Sequence, residues 1–338
     1  MQSKKNVVVI GGGTGTYSVL SGLKAYPDKV DLTAVVAMSD DGSSTGRLRD
    51  EFGILPVGDV RMALLALSDE ARIDNQSLRA LFSYRFVKGG EGLQGHNFGN
   101  LLLVALSEIL GSELSAIAMV SRLLGVQGKV LPVTTDSIFL AATYDDGLEV
   151  VGESIIDNPP KDRGDHGISD LRVVPEATVC PEVCTALAEA DYIVLGPGDL
   201  YTSLLAAVVV GDLSVRIRNA KGKFVFVGNL MSKFGQTTGY TTEKYISEIQ
   251  KYIGRVPDAF FINTTPFPES ALLRYIVAGE HPVLDTGSGT EATRVIRGDF
   301  VGTEEVRGMK GDTHKRSLVR HDAQKLSEAF MDYLGGVR

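Results

Sequence analysis

Apolar residues gather along this chain in short unbroken runs that end in glycine or other small residues. VVVIGG (7–12), LTAVVAM (32–38), the head of DYIVLGPGDLYTS (191–203), KFVFVGNLM (223–231) and AFFINTT (259–265) share this form. Runs of that length without polar alternation predict strands of a parallel sheet buried on both faces. Between them the period changes. Residues 14–26 carry Val19, Leu20 and Leu23 at helical spacing, and Pro27 stops the helix. Strand, glycine-rich turn, helix and strand in such succession make a βαβ unit. Helical spacing also runs through 60–67, 78–86, 101–110 and 114–124, interrupted by the glycine-rich stretch KGGEGLQGHNFGN (88–100). SIFLAATYDDGLEVVGES (137–154) predicts a hairpin around Asp145, Asp146 and Gly147. The sum is an α/β chain: a Rossmann-like, doubly wound, mostly parallel sheet with a small helical insertion. Residues 1–338 form one domain in this reading, with the helical insertion at 60–127.

Composition narrows the function classes more than the fold. A length of 338 residues suits one large α/β unit, and 43% apolar with 22% charged residues excludes wholesale disorder. A net charge of −8 without any Lys/Arg block argues against sequence-independent nucleic-acid binding. A local basic pocket for one anionic ligand remains open, because net charge does not describe a cleft. No apolar run approaches ~18 residues, so no membrane span is expected. MQSKKN leads directly into a strand with no secretory segment, and the expected location is cytoplasmic. Cys180 and Cys184, spaced C-x-x-x-C, fit buried apolar positions better than a zinc or redox site. A symmetric homodimer is the default oligomer.

Candidate chemistry lies at the predicted strand ends, where ligands bind in such sheets. In GGGTGT, Gly11, Gly12, Gly13, Thr14, Gly15 and Thr16 form a loop whose backbone N–H groups can approach a phosphate ahead of a helix. Thr16 stands where a dinucleotide fingerprint has Gly or Ala, and no P-loop lysine is present, so the loop is a generic phosphate cradle. GPGDLYTS repeats the logic, with Gly196 and Gly198 freeing the backbone and Tyr201, Thr202 and Ser203 following; helix capping alone would also explain its hydroxyls. Two such loops suit a nucleotide diphosphate or a nucleotide-sugar.

The stretch SDDGSSTGRLRDEFG (39–53) sets Asp40 and Asp41 beside Ser43, Ser44 and Thr45, then Arg47 and Arg49. Three roles stay open for the acids: a solvated turn, ribose hydroxyl acceptors at the end of the second strand, or ligands of Mg2+ beside a diphosphate. Asp59, in GDVR, offers a further carboxylate, and Arg61 a phosphate contact. On a helix Arg47 and Arg49 diverge, so one of them reaches a ligand. His96, Asn97 and Asn100 in QGHNFGN read equally well as a ligand-facing turn or as local capping by Asn97. His166, His281, His314 and His321 show no metal spacing.

The ordered set GGGTGT, SDDGSSTGRLR, GDVR, GHNFGN, GPGDLYTS and NLM, running on to LVRHD (318–322), resembles the gluconeogenesis factor family. That family shares a superfamily with 2-phospho-L-lactate transferase of deazaflavin cofactor synthesis. The resemblance implies a Rossmann-like fold with a small helical subdomain. It also implies binding of UDP-sugars such as UDP-N-acetylglucosamine, with roles in cell shape, cell-wall synthesis and growth on gluconeogenic carbon. The transferase branch implies instead magnesium-dependent transfer of a phospholactyl group from a guanosine diphosphate donor to a deazaflavin. There an aspartate of the second-strand loop serves acceptor and metal, and Asp40 and Asp41 match it; Asp41 and Asp59 are the metal candidates. The hydroxyl-Arg loop and LVRHD look more like the gluconeogenesis-factor branch. By that resemblance Arg320 and Tyr275 contact the nucleotide-sugar, with Asn229 of NLM in the same crevice.

Overall fold

The computed structural model describes residues 3–71, 75–164, 166–287, 292–302 and 318–336. Its strands are β1 (Lys5–Gly11), β2 (Val30–Val36), β3 (Lys129–Pro132), β4 (Phe139–Tyr144), β5 (Glu149–Val151), β6 (Ile168–Val174), β7 (Tyr192–Leu195), β8 (Lys223–Val227), β9 (Ala259–Asn263) and β10 (Arg294–Gly298). Seven of them form one sheet in the order β10-β9-β8-β7-β1-β2-β3. Every neighbouring pair in it is parallel. Val7, Val8, Val9 and Ile10 of β1 are at most 2% exposed, as expected of a central strand covered on both faces. From β1 the chain winds outward through β2 to β3, then returns to the other side of β1 at β7. That reversal is the topological switch point, and the crevice of a doubly wound fold opens there.

The helices nearest the crevice are α1 (Gly13–Leu23), α2 (Ser43–Phe52), α3 (Gly58–Leu67), α4 (Asn75–Ser83), α5 (Gly90–Leu93), α6 (Phe98–Leu110), α7 (Glu113–Leu123) and α8 (Glu153–Asp157). Helical spacing predicts most of these segments, but α3 packs on α1, β2 and β3. It therefore belongs to the layer that covers the sheet, as well as opening the helical group. The predicted hairpin is present as β4 and β5, and β6 pairs with β4 from the other side to complete a small antiparallel sheet. Three strands carry no clear sequence signal: β3 is four residues long and contains Pro132, β6 is interrupted by Ser169 and Asp170, and β10 is flanked by arginines.

Two devices fasten the segments around the crevice. Arg49, 7% exposed, reaches across from α2 to donate to the Ile138 carbonyl at 2.8 Å and the Asp40 carbonyl at 3.1 Å. Its guanidinium also lies over the Phe139 ring, 4.5 Å from the centroid, a cation–π arrangement. Asp41 accepts from the backbone N–H groups of Glu153 (3.1 Å) and Ser154 (2.8 Å), so it caps α8 from the β2 side. Cys180 is buried and its thiol is pushed up to about 11, chiefly by burial, so it is unreactive packing. Among the described residues no single helix is long and apolar enough to cross a membrane.

At the switch point the loops after β1 and β7 touch backbone to backbone. The Gly196 N–H donates to the Ile10 carbonyl at 3.1 Å, and a β-carbon on Gly15 would overlap the Pro197 carbonyl. Neither backbone can move without shifting a central strand. Gly15→Ala is expected to lower stability by about 1–3 kcal/mol, read as an earlier urea midpoint at unchanged slope. Gly53→Ala is a useful contrast: Gly53 has open space around it, and its left-handed φ of 65° would be the only source of strain.

Candidate active site and ligand cleft

The cleft has a volume of about 720 Å³ and is walled by the segments that follow β1, β2, β7 and β8, together with α3, α8 and residues 318–321. The first wall is the GGGTGT loop. Gly13 adopts φ +66°, a conformation open to glycine at little cost. Its N–H donates to Asp59 Oδ1 at 2.9 Å, and a β-carbon on Gly12 would overlap the Asp59 carboxylate. Asp59 thus sits directly beneath the loop and sets its shape. Gly12, Gly13, Thr14 and Gly15 line the cleft, while Gly11 and Thr16 face a small void behind it.

In the second loop Gly198, Thr202 and Ser203 line the cleft, and Gly196 lies behind them against Thr16. Asn229, at the end of β8, clamps this loop by donating from Nδ2 to the Gly198 carbonyl at 2.7 Å. Tyr201 points the other way. It is fully buried and its hydroxyl meets Tyr240 (2.8 Å) and Glu248 (3.1 Å), on the far side of the loop from the ligand space. The turn from Leu200–Leu205 is π-helical, which places consecutive side chains Tyr201 and Thr202 in opposite environments.

The third wall begins with SDDGSS. Asp40 faces the cleft and accepts from the Gly42 N–H at 2.9 Å, whereas both carboxylate oxygens of Asp41 are engaged by α8. Ser43 adopts φ 46°, unusual for a residue with a side chain. Ser44 and Thr45 are buried at the start of α2 and line the cleft. Arg47 donates to the Gln94 carbonyl at 2.8 Å, outside the cleft lining, and Arg49 is the clamp described above. Neither arginine of the stretch faces the ligand space; the divergence expected on a helix sends both to protein partners.

Four side chains form a directional hydrogen-bond chain beside α2. Arg61 Nε donates to Asn100 Oδ1 at 2.8 Å, Asn100 Nδ2 lies 3.5 Å from Ser44 Oγ, and Ser44 Oγ lies 3.0 Å from His96 Nδ1. Arginine can only donate, so Asn100 turns its oxygen to Arg61 and its amide to Ser44. A neutral His96 protonated at Nε2 would take the Ser44 proton at Nδ1 and complete the chain. Burial, followed by the charge of Arg47, lowers the His96 pKa in agreement with that state. His96 and Asn97 themselves do not line the cleft. Asn97 caps α6 by accepting from the Gly99 N–H at 2.9 Å, and His96 acts on the wall through Ser44.

The far wall carries Tyr275, Arg274, Arg320 and His321. Tyr275 is 6% exposed and its hydroxyl accepts from the N–H groups of Leu318 (2.8 Å) and Val319 (3.2 Å). It holds the LVRHD segment against the cleft and so positions Arg320. His321 is pushed down to about 4, mainly by burial and against a hydrogen bond to the Gly228 carbonyl, so it is neutral. His166 pairs with Asp145 at 2.8 Å on the outer surface, His281 donates its N–H to Ser232, and His314 with the basic stretch 306–317 lies outside the described residues.

Several cleft residues have no motif to mark them in the sequence: Glu153, Asp157 and Lys233, with Ser39 and Asp199 hidden inside the SDDGSS and GPGDLYTS motifs. Lys233 Nζ lies 3.2 Å from both Asp157 and Asp199, and Thr202 Oγ1 donates to Asp157 at 3.1 Å. Burial pushes Asp199 up to about 6, with Lys233 opposing and Asp157 adding to the rise. Burial also acts on Asp157, but Lys233 and the hydrogen bonds to it hold that carboxyl below its ordinary value. Glu153 is raised well above the carboxylate range, first by burial and then by Asp40, Asp157, Asp41 and Asp59. The acids of four separate segments therefore share one electrostatic environment.

The order of the sheet, the switch-point crevice and the paired glycine loops define a Rossmann-order α/β protein. The family model described as 2-phospho-L-lactate transferase CofD matches residues 7–301. A Nostoc protein is 40% identical over 98% of this chain and 69% of its own length. The Bacillus subtilis protein named gluconeogenesis factor is 35% identical over 99% of both chains. A crystal structure of a Bacillus halodurans protein of the UPF0052 family superposes with a TM-score of 0.86 at 35% identity, covering 98% of this chain and 100% of that one. The chain belongs to the CofD family and, within it, to the gluconeogenesis factors.

Asp59 offers a direct test of the electrostatics. Burial, then the charge of Asp40, raises it to about 7, against the Gly13 N–H and Arg61. A carboxyl whose pKa is higher folded than unfolded binds more protons in the folded state between pH ~4 and ~7, so its contribution to stability is lost as pH rises through that window. Asparagine keeps an acceptor for the Gly13 N–H but cannot ionise. Asp59→Asn is expected to gain stability relative to the parent protein between pH 5 and pH 8, by on the order of 2 kcal/mol. Urea denaturation at the two pH values measures this. A difference that does not change with pH would show that Asp59 carries no raised pKa.

Proposed function

We propose that the cleft holds a nucleotide-sugar, specifically a UDP-sugar, and that the protein is a binding regulator connecting carbon metabolism with cell shape and cell-wall synthesis. The observation that carries this reading is the convergence of two glycine loops and the hydroxyl-bearing start of α2 on one crevice at the switch point. α1 and α2 both begin behind a glycine with no capping side chain. Uncapped helix starts bring N–H groups and positive dipole ends to the cleft, where phosphate oxygens suit them. A volume near 720 Å³ suits a nucleotide-sized ligand. Arg320, held through Tyr275, gives the far wall a donor fork for a diphosphate or a base edge. The metabolic part of the reading draws on the name gluconeogenesis factor borne by relatives such as that of Bacillus subtilis.

One observation favours a second reading. Asp40 and Asp59 are hard oxygen donors close enough for Asp40 to raise the Asp59 pKa, and both lie beside the phosphate-type loops. That donor set fits Mg2+, which binds through one or two carboxylates plus phosphate oxygens. Asp40 and Asp59 would hold the ion, which would neutralise a diphosphate and polarise a phosphoryl oxygen. The corresponding function is a magnesium-dependent 2-phospho-L-lactate transferase acting on a deazaflavin.

Titration calorimetry separates the two. UDP-N-acetylglucosamine is expected to bind with micromolar affinity, and Arg320→Ala to weaken it at least about tenfold, or about 1.4 kcal/mol. Absence of binding by UDP-N-acetylglucosamine, with GDP binding and turnover on a deazaflavin, would replace the first reading by the second.

A further inference from the structure

The acids of the cleft point to which sugars it accepts. Asp40, Asp59, Glu153, Asp157 and Asp199 come from four segments and all face the same space. Arg61, Arg85, Arg274 and Arg320 also line the cleft; the base held between Asp157 and Asp199 is Lys233, with its Nζ 3.2 Å from both, so one ammonium is shared between two carboxyl groups. The Asp157–Asp199–Lys233 group therefore carries a surplus acid, and Glu153 lies beside it within reach of the charges of Asp40, Asp157 and Asp59. Ser39 supplies an independent sign that a ligand belongs here. It is 1% exposed, lines the cleft next to Asp40, and its hydroxyl has no partner among the described residues. Asn229 Oδ1, beside Gly198 and Asp199, is likewise a buried acceptor with no partner among the described residues.

Buried polar groups ordinarily have hydrogen-bond partners. A wall of carboxylate and amide acceptors with a buried hydroxyl is matched by a ligand group rich in O–H donors and poor in negative charge. A hydroxyl given to a carboxylate makes a short, charge-assisted bond. A second carboxylate at the same place meets like charge in a desolvated site, which disfavours its ionised form.

We infer that the wall formed by Glu153, Asp157, Asp199 and Lys233 is a subsite for the neutral, hydroxyl-rich sugar of the nucleotide-sugar and selects against sugar acids. The inference rests on the nucleotide-sugar reading above. The diphosphate lies on the glycine loops and the α2 start, and the sugar hydroxyls donate to the acids. Lys233 acts as an internal counter-charge that keeps Asp157 ionised as an acceptor, and is not available to a ligand carboxylate.

UDP-glucose and UDP-glucuronate test this directly, because they differ only in a C6 alcohol against a C6 carboxylate. Titration calorimetry of the full-length protein at neutral pH in magnesium-containing buffer is expected to show UDP-glucose binding at least about tenfold tighter. Asp199→Asn keeps shape and leaves Lys233 paired with Asp157; it is expected to narrow the ratio to about threefold or less. Glu153 is already neutral through its raised pKa, so Glu153→Gln removes no charge and is expected to leave the ratio unchanged, and thermal melts confirm that each variant is folded. Equal affinities in the parent protein overturn the subsite while leaving nucleotide-sugar binding in place. So does a tenfold ratio unchanged in folded Asp199→Asn. Absence of binding by either compound overturns the nucleotide-sugar reading and this inference with it.

Discussion

Where β1 and β7 leave the sheet side by side, Gly15 lies so close to the Pro197 carbonyl that no side chain fits between them. The Gly196 N–H closes on the Ile10 carbonyl in the same place. This backbone contact fixes the distance between the two glycine loops, and every other wall of the cleft is referred to it. Asp59 holds the first loop from below, and Asn229 holds the second from the end of β8. Because both loops continue strands buried on each face, their positions inherit the rigidity of the sheet centre.

The second organising feature is electrostatic. Taking carboxyl groups out of water is costly unless they are paired or protonated, yet this cleft gathers acids from four segments. The raised pKa values of Asp59, Asp199 and Glu153 record that cost. Lys233, Thr202 and the Gly13 N–H offset part of it. A stable fold has no use for such an arrangement by itself; strongly perturbed acids in a cleft are characteristic of sites that meet a ligand. The acids, the start of α2 and Arg320 line one and the same crevice.

Much of this is legible in the chain. The strands β1, β2, β7, β8 and β9 are unbroken apolar runs, and α1 has helical spacing ended by a proline. The edge and accessory strands β3, β6 and β10 are not legible, because they are short or carry polar residues, and their pairing depends on neighbours remote in sequence. Among site residues, the glycine loops, Asp40, Ser44, Thr45, Asn100 and Asn229 stand at strand or helix ends where their types make sense. Tyr201 shares a motif with Thr202, yet a π-turn faces it into the core. Arg47 and Asp41 have the right chemistry, but carbonyl and N–H partners from distant segments engage them.

Local pattern alone determines the Rossmann-like class, the placing of glycine loops at strand ends and the helical segments after the second strand, because periodicity and backbone freedom are properties of neighbouring residues. Tertiary structure alone decides that α8 is docked on Asp41, that Arg49 is a clamp, and that Lys233 serves Asp157 and Asp199. Each of those contacts joins segments tens of residues or more apart in the chain. The charge that a buried group carries depends on its desolvation and on neighbours brought in by folding, and neither is written in the residue's own surroundings along the chain.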